Sequence, residues 1–301
     1  MVTLLQYIKK PKTLLISALK RLWWIPDRIY IQILFYLKMG RKLNLKNPQT
    51  FNEKLQWLKL YNRHDEYTIM VDKYEAKKYV ASIIGDNYII PTIGVWNSVD
   101  EIDFDILPDK FVLKTTNGGG SCGVVICKDK ALLDIDKTKK RLNQSLKLNI
   151  YRSLKEWPYK NVKPRIIAEQ YLEDSDGELK DYKFTCADGT AHNVMICYDR
   201  NVGDTKFYFF DRDWNLLRLN KRGKNAPPNF TLPKPESLDE MFNVAAKLSE
   251  GIPYLRVDLY NINGRVFFGE MTFFPQSGFD NNLLKETDIL FGQYIKLPNK
   301  N

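Results

Sequence analysis

The chain has 301 residues, 44% of them hydrophobic and 27% charged, enough for one large domain or two to three small ones around a sizeable core. Its four cysteines (Cys122, Cys127, Cys186, Cys197) form no C-x-x-C pair, and His64 and His192 lie far apart; this argues against a cysteine/histidine zinc site and a disulfide framework, and fits a reducing compartment. The net charge of +10 is local: residues 1–60 hold twelve Lys/Arg against two Asp/Glu, and the remainder carries 34 of each sign.

That basic segment comes first along the chain. Its apolar runs are interrupted by Lys9, Lys10, Lys20, Arg21, Arg28 and Lys38, and the longest, Ile29 to Leu37, is far below the roughly 20 residues that span a bilayer. It lacks a signal-peptide cleavage pattern. Two readings remain: an amphipathic helical segment packed on the main body, or a helix lying on an anionic membrane leaflet with Trp23 and Trp24 at the interface. Basic residues mixed with large aliphatics argue against a nucleic-acid groove.

Next, QTFNEKLQWLKLY (residues 49–61) carries helical spacing. In VDKYEAKKYVASIIGDN, Asp72 and Glu75 form a capping-box pattern and Gly85 suits an exit, so a helix is expected from Lys73 to about Ile84. NYIIPTIGVW reads as a short strand and turn. LPDKFVLKTT reads as a strand ending at a glycine loop, with GVVICKD as its return. Residues 130–160 look helical, and RIIAEQYL is a strand. LKDYKFTCADGTAHNVMICYDR is two strands around Asp188-Gly189, a hairpin turn. KFYFFDRDW is another strand, SLDEMFNVAAKLSEGI a helix boxed by Ser237 and Glu240, and LRVDLYNINGRVFFGEMTFF a final hairpin. Strands and helices mix without regular βαβ alternation, so the class expected is α+β.

Four constellations could carry chemistry. Lys114 ends an apolar run and precedes Gly118, Gly119 and Gly120, whose N–H groups could approach a phosphate; the order is not that of a P-loop, and a plain hairpin reads equally well. Lys73 at a helix start opposes the helix dipole unless an anion sits there; a lysine bent into solvent is the alternative. Glu169 leaves an apolar strand at its end, where a surface glutamate is the simpler local reading. In the last hairpin Arg256, Asp258 and Glu270 sit among apolar residues, where charges are costly unless paired or metal-bound. A two-residue loop at Asn263-Gly264 would put Asp258 and Glu270 on opposite faces. A three-residue loop would gather all three residues on one face; a surface salt bridge on an edge strand is the alternative.

The ordered set (VDK, FVLK with its glycine loop, AEQYL, RVD, then GEMT) resembles the ATP-grasp superfamily. NPQTFNEKLQWLKLY, VDKYEAKKYV, LPDKFVLKTTNGGGS, IIAEQYL, DYKF, LRVDLY and FGEMTFFPQSG are similar to the TupA-like ATP-grasp family of bacterial cell-surface polysaccharide and teichuronopeptide clusters, over residues 40–292. The resemblance implies an ATP-grasp body: a basic helical segment (1–62), an N-terminal subdomain (63–110), a lid subdomain with the glycine loop (111–172) and a C-terminal subdomain with the metal site (173–301). It implies ATP and Mg²⁺. By matching position, Lys73 and Lys114 would hold the phosphates and Gly118, Gly119, Gly120 and Ser121 would close over them. Glu169, Gln170 and Leu172 would recognise adenine, and Asp181 the ribose. Asp258, Glu270 and Thr272 would hold metal, with Arg256 steadying transferring charge. Thr272 stands where many relatives have asparagine, a better Mg²⁺ ligand. Lys183, alternating with Asp181 on one strand face, is expected to contact phosphate or a substrate carboxylate, with a structural ion pair as the alternative.

The activity implied is ADP-forming carboxylate–amine ligation, with a small-molecule or lipid-linked glycan acid and an amine as partners, in the bacterial cytoplasm or at the inner leaflet. A glycosyltransferase, for which Asp103-Phe104-Asp105 and Asp211-Arg212-Asp213 formally supply D-x-D, and a non-catalytic nucleotide-binding protein stay open.

Overall fold

In the computed structural model, which describes residues 11–120, 122–174, 179–198 and 205–299, the chain opens with helices α1 (Pro11–Arg21) and α2 (Asp27–Met39). One face of α2 buries Tyr30, Ile31, Leu34 and Phe35 completely, and these join the main core. Helix α2 is therefore packed on the body, as the first of the two readings expects, while Lys9 and Lys10 lie outside the described residues. Helix α3 (Phe51–Tyr61) starts at a reciprocal capping box: Thr50 Oγ1 accepts from the Glu53 N–H, and the Glu53 carboxylate accepts from the Thr50 N–H. Lys59 of α3 is fully buried and donates to the carbonyls of Leu154 (3.0 Å) and Ser277 (2.8 Å); burial pushes its pKa down to about 7. Among the described residues no helix is long and apolar enough to cross a membrane.

Helices α4 (Glu66–Val71) and α5 (Glu75–Ile84) follow. The helix expected from Lys73 begins two residues later. Asp72 Oδ1 does accept from the N–H groups of Tyr74 (2.8 Å) and Glu75 (3.2 Å), but the reciprocal half of the box is missing. The Glu75 carboxylate instead takes Arg165 Nη1 at 2.8 Å, a long-range charge-assisted bond that outcompetes the local one. Lys73 is thus a turn residue between two helices.

Strands β1 (Thr92–Trp96), β2 (Phe111–Thr115) and β3 (Val124–Cys127) come next, then helices α6 (Ile135–Leu146) and α7 (Ile150–Leu154), then β4 (Ile166–Gln170). The four strands form one antiparallel sheet in the order β1-β4-β2-β3. Because β1 belongs to it, this sheet straddles position 110, where the sequence places a subdomain boundary. Alternation sets its faces. Phe111, Leu113, Ile166 and Ala168 pack with Leu142 of α6 in a core of their own. Val112, Lys114, Ile167 and Glu169 point the other way, paired Val112↔Glu169 and Lys114↔Ile167.

The second sheet is built from β5 (Asp181–Ala187), β6 (Thr190–Tyr198), β7 (Lys206–Phe210), β8 (Leu216–Leu217), β9 (Leu255–Ile262) and β10 (Arg265–Thr272), in the order β10-β9-β5-β6-β7-β8. Between β8 and β9 lie the short α8 (Lys221–Lys224) and then α9 (Leu238–Leu248). Phe184, Val257 and Leu259 share a core with α9, where Phe184 meets Phe242 edge-on. The expected Ser237/Glu240 box does not form. Ser237 Oγ donates to the Gly264 carbonyl, and Glu240 accepts from Tyr88 at 2.7 Å; both side chains are drawn away by tertiary partners. Helix α10 (Lys285–Tyr294) closes back on α3, with Asp288 Oδ1 accepting from the Asn52 N–H and Nδ2, both at 2.9 Å.

Candidate active site between the two sheets

The charged row of the last hairpin is assembled by a device the sequence reading did not include. The turn is the two-residue one: Ile262 pairs with Arg265, and Asn263 and Gly264 have φ of 48° and 80°, as a type I′ turn requires. Strand parity alone would then separate Asp258 from Glu270. A register shift between Phe268 and Glu270 adds one residue, Gly269, and restores the pairings Glu270↔Asp258 and Thr272↔Arg256. The three-residue loop is therefore replaced by a bulge. Glycine is needed there because a Cβ on residue 269 would stand 2.9 Å from the Asp258 carbonyl oxygen and 3.1 Å from the Tyr260 ring. Gly269→Val is expected to destabilise the fold by about 1–3 kcal/mol through overpacking and to displace Glu270, measurable as a lower urea midpoint; an unchanged midpoint would mean that the bulge is not sterically specified.

On that face Asp258 is 1% exposed and held by two cations. Its Oδ1 takes Arg256 Nε at 2.6 Å; its Oδ2 takes Arg256 Nη2 at 2.7 Å and the Lys183 ammonium. Lys183 also pairs with Asp181 at 2.8 Å, so DYKF does place both side chains on one face. Arg256 Nη2 reaches Glu270 (3.2 Å) and Thr272 Oγ1 (3.1 Å). Burial pushes the Asp258 carboxyl up, against Arg256 and Lys183. Burial also acts to raise Glu270, but Lys73, Arg256 and Lys183 outweigh it and hold that carboxyl low. Burial acts to lower Lys183, and the carboxylates of Asp258 and Asp181 reverse it, so its ammonium is held charged.

The small sheet supplies the second half. Glu169 is not a surface residue at a strand end: it is 4% exposed, inside β4, and bridges Lys114 (2.5 Å) and Lys77 (2.6 Å). Burial would raise its carboxyl, and these two lysines hold it low instead. Lys77 also donates to the Ile90 carbonyl (2.7 Å) and Thr92 Oγ1 (2.9 Å). Sequence reasoning missed Lys77, although it stands four residues after Lys73. Gln170 is exposed, Leu172 half-buried, and Gly118 buried with Gly119 and Gly120 exposed; Ser121 lies outside the described residues.

Lys73 joins the halves. Its backbone N–H donates to the Thr116 carbonyl (3.4 Å), and its ammonium donates to the carbonyl of Gly118. Arg165 fixes the turn that carries it, bonding Asp72 at 2.8 Å while its backbone carbonyl accepts from Thr116. Burial lowers the Lys73 pKa, countered first by Glu270 of the large sheet, and lowered further by Lys114 of the small one. Lys73, Lys114, Glu169, Glu270, Asp258, Lys183 and Arg256 thus share one charged interface. Met70, Lys73, Tyr159, Phe268 and Glu270 line a cavity of only about 10 Å³ there, about one water's worth of space.

The residues fit a magnesium ion in kind. Asp258 and Glu270 lie on one face with the Thr272 hydroxyl beside Glu270, and because Arg256 and Lys183 hold both Asp258 oxygens, a metal there would displace one of those cations from Asp258. Among the described residues no three acidic, histidine or cysteine side chains gather as a ready-made metal site, so the remaining oxygens of an octahedral shell would come from phosphates and water. The two D-x-D matches serve elsewhere: Asp103 Oδ1 accepts from the Asp105 N–H (3.0 Å), and Asp211 holds Asn215.

The two antiparallel sheets, each contributing residues to this charged cluster, form the ATP-grasp fold, the α+β architecture expected from the sequence. The model of the family described as TupA-like ATPgrasp matches residues 53–296, and the chain belongs to that family. Solved structures similar to it include the D-alanine-D-alanine ligase of Helicobacter pylori (16% identity, TM-score 0.43, 83% of this chain and 70% of that one). Others are the D-cycloserine synthetase DcsG (15%, 0.41, 75% and 69%) and the L-amino acid ligase of Bacillus licheniformis (13%, 0.45, 75% and 49%). Likeness at this level concerns the fold alone. No curated protein matches the chain.

Proposed function

We propose that this protein is an ATP- and Mg²⁺-dependent, ADP-forming carboxylate–amine ligase that acts on a uronic-acid or amino-acid component of a bacterial cell-surface polysaccharide. The observation that carries the reading is the placement of Lys73, which lines one cavity with Glu270 of the large sheet and whose ammonium donates to the carbonyl of Gly118 in the glycine loop of the small one. Three groups from separate stretches of the chain meet where a triphosphate would lie. Lys73 and Lys114 would neutralise its phosphates, with Gly118, Gly119, Gly120 and Ser121 above them. Glu169, Gln170 and Leu172 would border adenine, and Asp181 the ribose. Asp258, Glu270 and Thr272 would hold magnesium, which when bound supplies charge neutralisation at the phosphate oxygens.

The substrate carboxylate attacks the γ-phosphorus and ADP leaves, giving an acyl phosphate; an amine then displaces phosphate and forms the amide. Arg256 and Lys183 oppose the negative charge that gathers during the first step. On this reading nucleotide binding would exchange the Glu169 carboxylate, 2.5 Å from Lys114, for phosphate. A lipid-linked acid would put the enzyme to work at the inner membrane leaflet; a free one, in the cytoplasm.

The test is an assay with Mg·ATP, uronic or amino acids, and amines. Release of ADP and phosphate that depends on both acid and amine is expected. Release of UDP or GDP from a sugar nucleotide, or nucleotide binding without turnover under any pairing, would overturn the reading.

A further inference from the structure

Exposed apolar side chains are concentrated in one place. Leu14, Leu15, Leu22, Trp23, Trp24, Ile29, Ile33 and Tyr36 are all at least 40% exposed, Trp24 reaching 68%. They come from α1, α2 and the turn between them. On α2 the exposed residues Ile29, Ile33 and Tyr36 follow i, i+4, i+7 spacing, a stripe directly opposite the buried one. A water-soluble surface has no use for such a stripe; a contiguous apolar patch marks an interaction site.

The charge around it has a single sign. Lys12, Lys20, Arg21 and Arg28 are exposed on the same segment. Its one acid, Asp27, is turned inward and spent on Arg63 (2.6 Å), Lys155 (3.1 Å) and Tyr151 (2.9 Å). Exposed Arg152 lies over the Trp23 ring at 4.7 Å and extends the basic rim onto α7, while the buried Lys155 anchors the turn by donating to the Trp23 carbonyl at 2.6 Å. The inner face of α2 is locked in the core, so this surface is fixed and the occupant must come to it.

We propose that the outer face of α1, α2 and their connecting turn docks on an anionic lipid bilayer surface. Trp23 and Trp24 would sit at headgroup depth, the aliphatic stripe at the acyl boundary, and the lysines and arginines against lipid phosphates. The charge decides among occupants. A second copy pairing by two-fold symmetry would set cations against cations. A nucleic acid would leave the aliphatic stripe uncovered. The two helices, of 11 and 13 residues, are too short to span, so they lie on the membrane. The inference goes beyond the nucleotide reading and does not depend on it. The two meet in the segment after α7, where Tyr159 borders the cleft a few residues from Arg152.

The experiment is co-sedimentation of the full chain with phosphatidylcholine vesicles, with and without phosphatidylglycerol, alongside tryptophan emission. Binding to the anionic vesicles only, weakened by salt and accompanied by a blue shift, is expected. Lys20→Glu with Arg21→Glu should lower the partition coefficient by about 10-fold or more. Trp24→Ser with Leu15→Ser should do likewise, and both pairs should melt as the wild type does, since all four side chains are exposed. Deleting residues 1–40 is unsuitable because it removes four fully buried side chains. Equal binding to neutral and anionic vesicles, no binding to either, or a concentration-dependent dimer abolished by Trp24→Ser would overturn the proposal. None of these outcomes bears on ATP turnover.

Discussion

Lys114→Met is expected to weaken nucleotide binding by about 10–100-fold, the loss of one charge-assisted bond of roughly 1.5–3 kcal/mol, while leaving the protein folded. The contrast with Lys77→Met makes this diagnostic. Both lysines hold Glu169, at 2.5 and 2.6 Å, yet they differ in what else they do. Lys77 also ties α5 to the Ile90 carbonyl and Thr92 Oγ1, so losing it frees two acceptors and removes a link between helix and sheet. Its loss should cost more stability than Lys114's and less nucleotide affinity. Lys114 has Glu169 as its ion-pair partner, and with Lys77 still in place the buried carboxylate keeps a counter-charge. Calorimetric titration with Mg·ADP and urea unfolding of both variants checks the pair. Wild-type affinity in Lys114→Met would remove Lys114 from the nucleotide site. Equal unfolding midpoints for the two variants would show that the lysines are not divided in this way.

Several parts of this arrangement are legible in the sequence because they are local. Alternation in FVLKT gives a strand whose Phe111 and Leu113 face one way and Lys114 the other, as found. Asp188-Gly189 makes the turn its residue types favour, with φ of 45° and 77°. Other parts are set by partners far along the chain. Glu169 reads as a strand-end glutamate until β1, β2 and α5 bring Lys77 and Lys114 to it. Asp72 and Glu75 read as a capping box until Arg165, ninety positions later, takes Glu75. The Ser237 box fails for the same reason. The hairpin at 255–272 is the instructive case: the expectation that Arg256, Asp258 and Glu270 share a face agrees with the structure, but the route to it differs. A three-residue loop and a two-residue loop with a bulge have the same parity, and the sequence mark that separates them is a lone glycine inside a strand. Thr50 and Glu53, by contrast, form a complete box that local spacing could have disclosed.

Asp258→Asn is expected to abolish turnover and to cost about 3–5 kcal/mol of folding stability, the usual consequence of stripping the counter-charge from buried cations. Asparagine has the shape of aspartate, so packing is conserved and the effect is electrostatic. In the wild type the two oxygens of Asp258 serve Arg256 and Lys183 together, and the two cations, 15% and 11% exposed, have little access to water. In the variant the side-chain amide can accept from one of them through its oxygen, while its NH₂ group faces the other. Asp181 and Glu270 remain as partial compensation, at 2.8 Å from Lys183 and 3.2 Å from Arg256, which places the loss below that of two isolated charges. Removing one cation as well should then restore part of the stability but none of the activity: Asp258→Asn combined with Lys183→Met should unfold at higher urea than Asp258→Asn alone. That sign of coupling belongs to a charge cluster and not to a packing defect. If Asp258→Asn unfolded at the wild-type midpoint, Asp258 would not be the counter-charge around which this face of the sheet is built. If the double variant were less stable than the single one, Lys183 would be serving Asp181 and not the Asp258 pair.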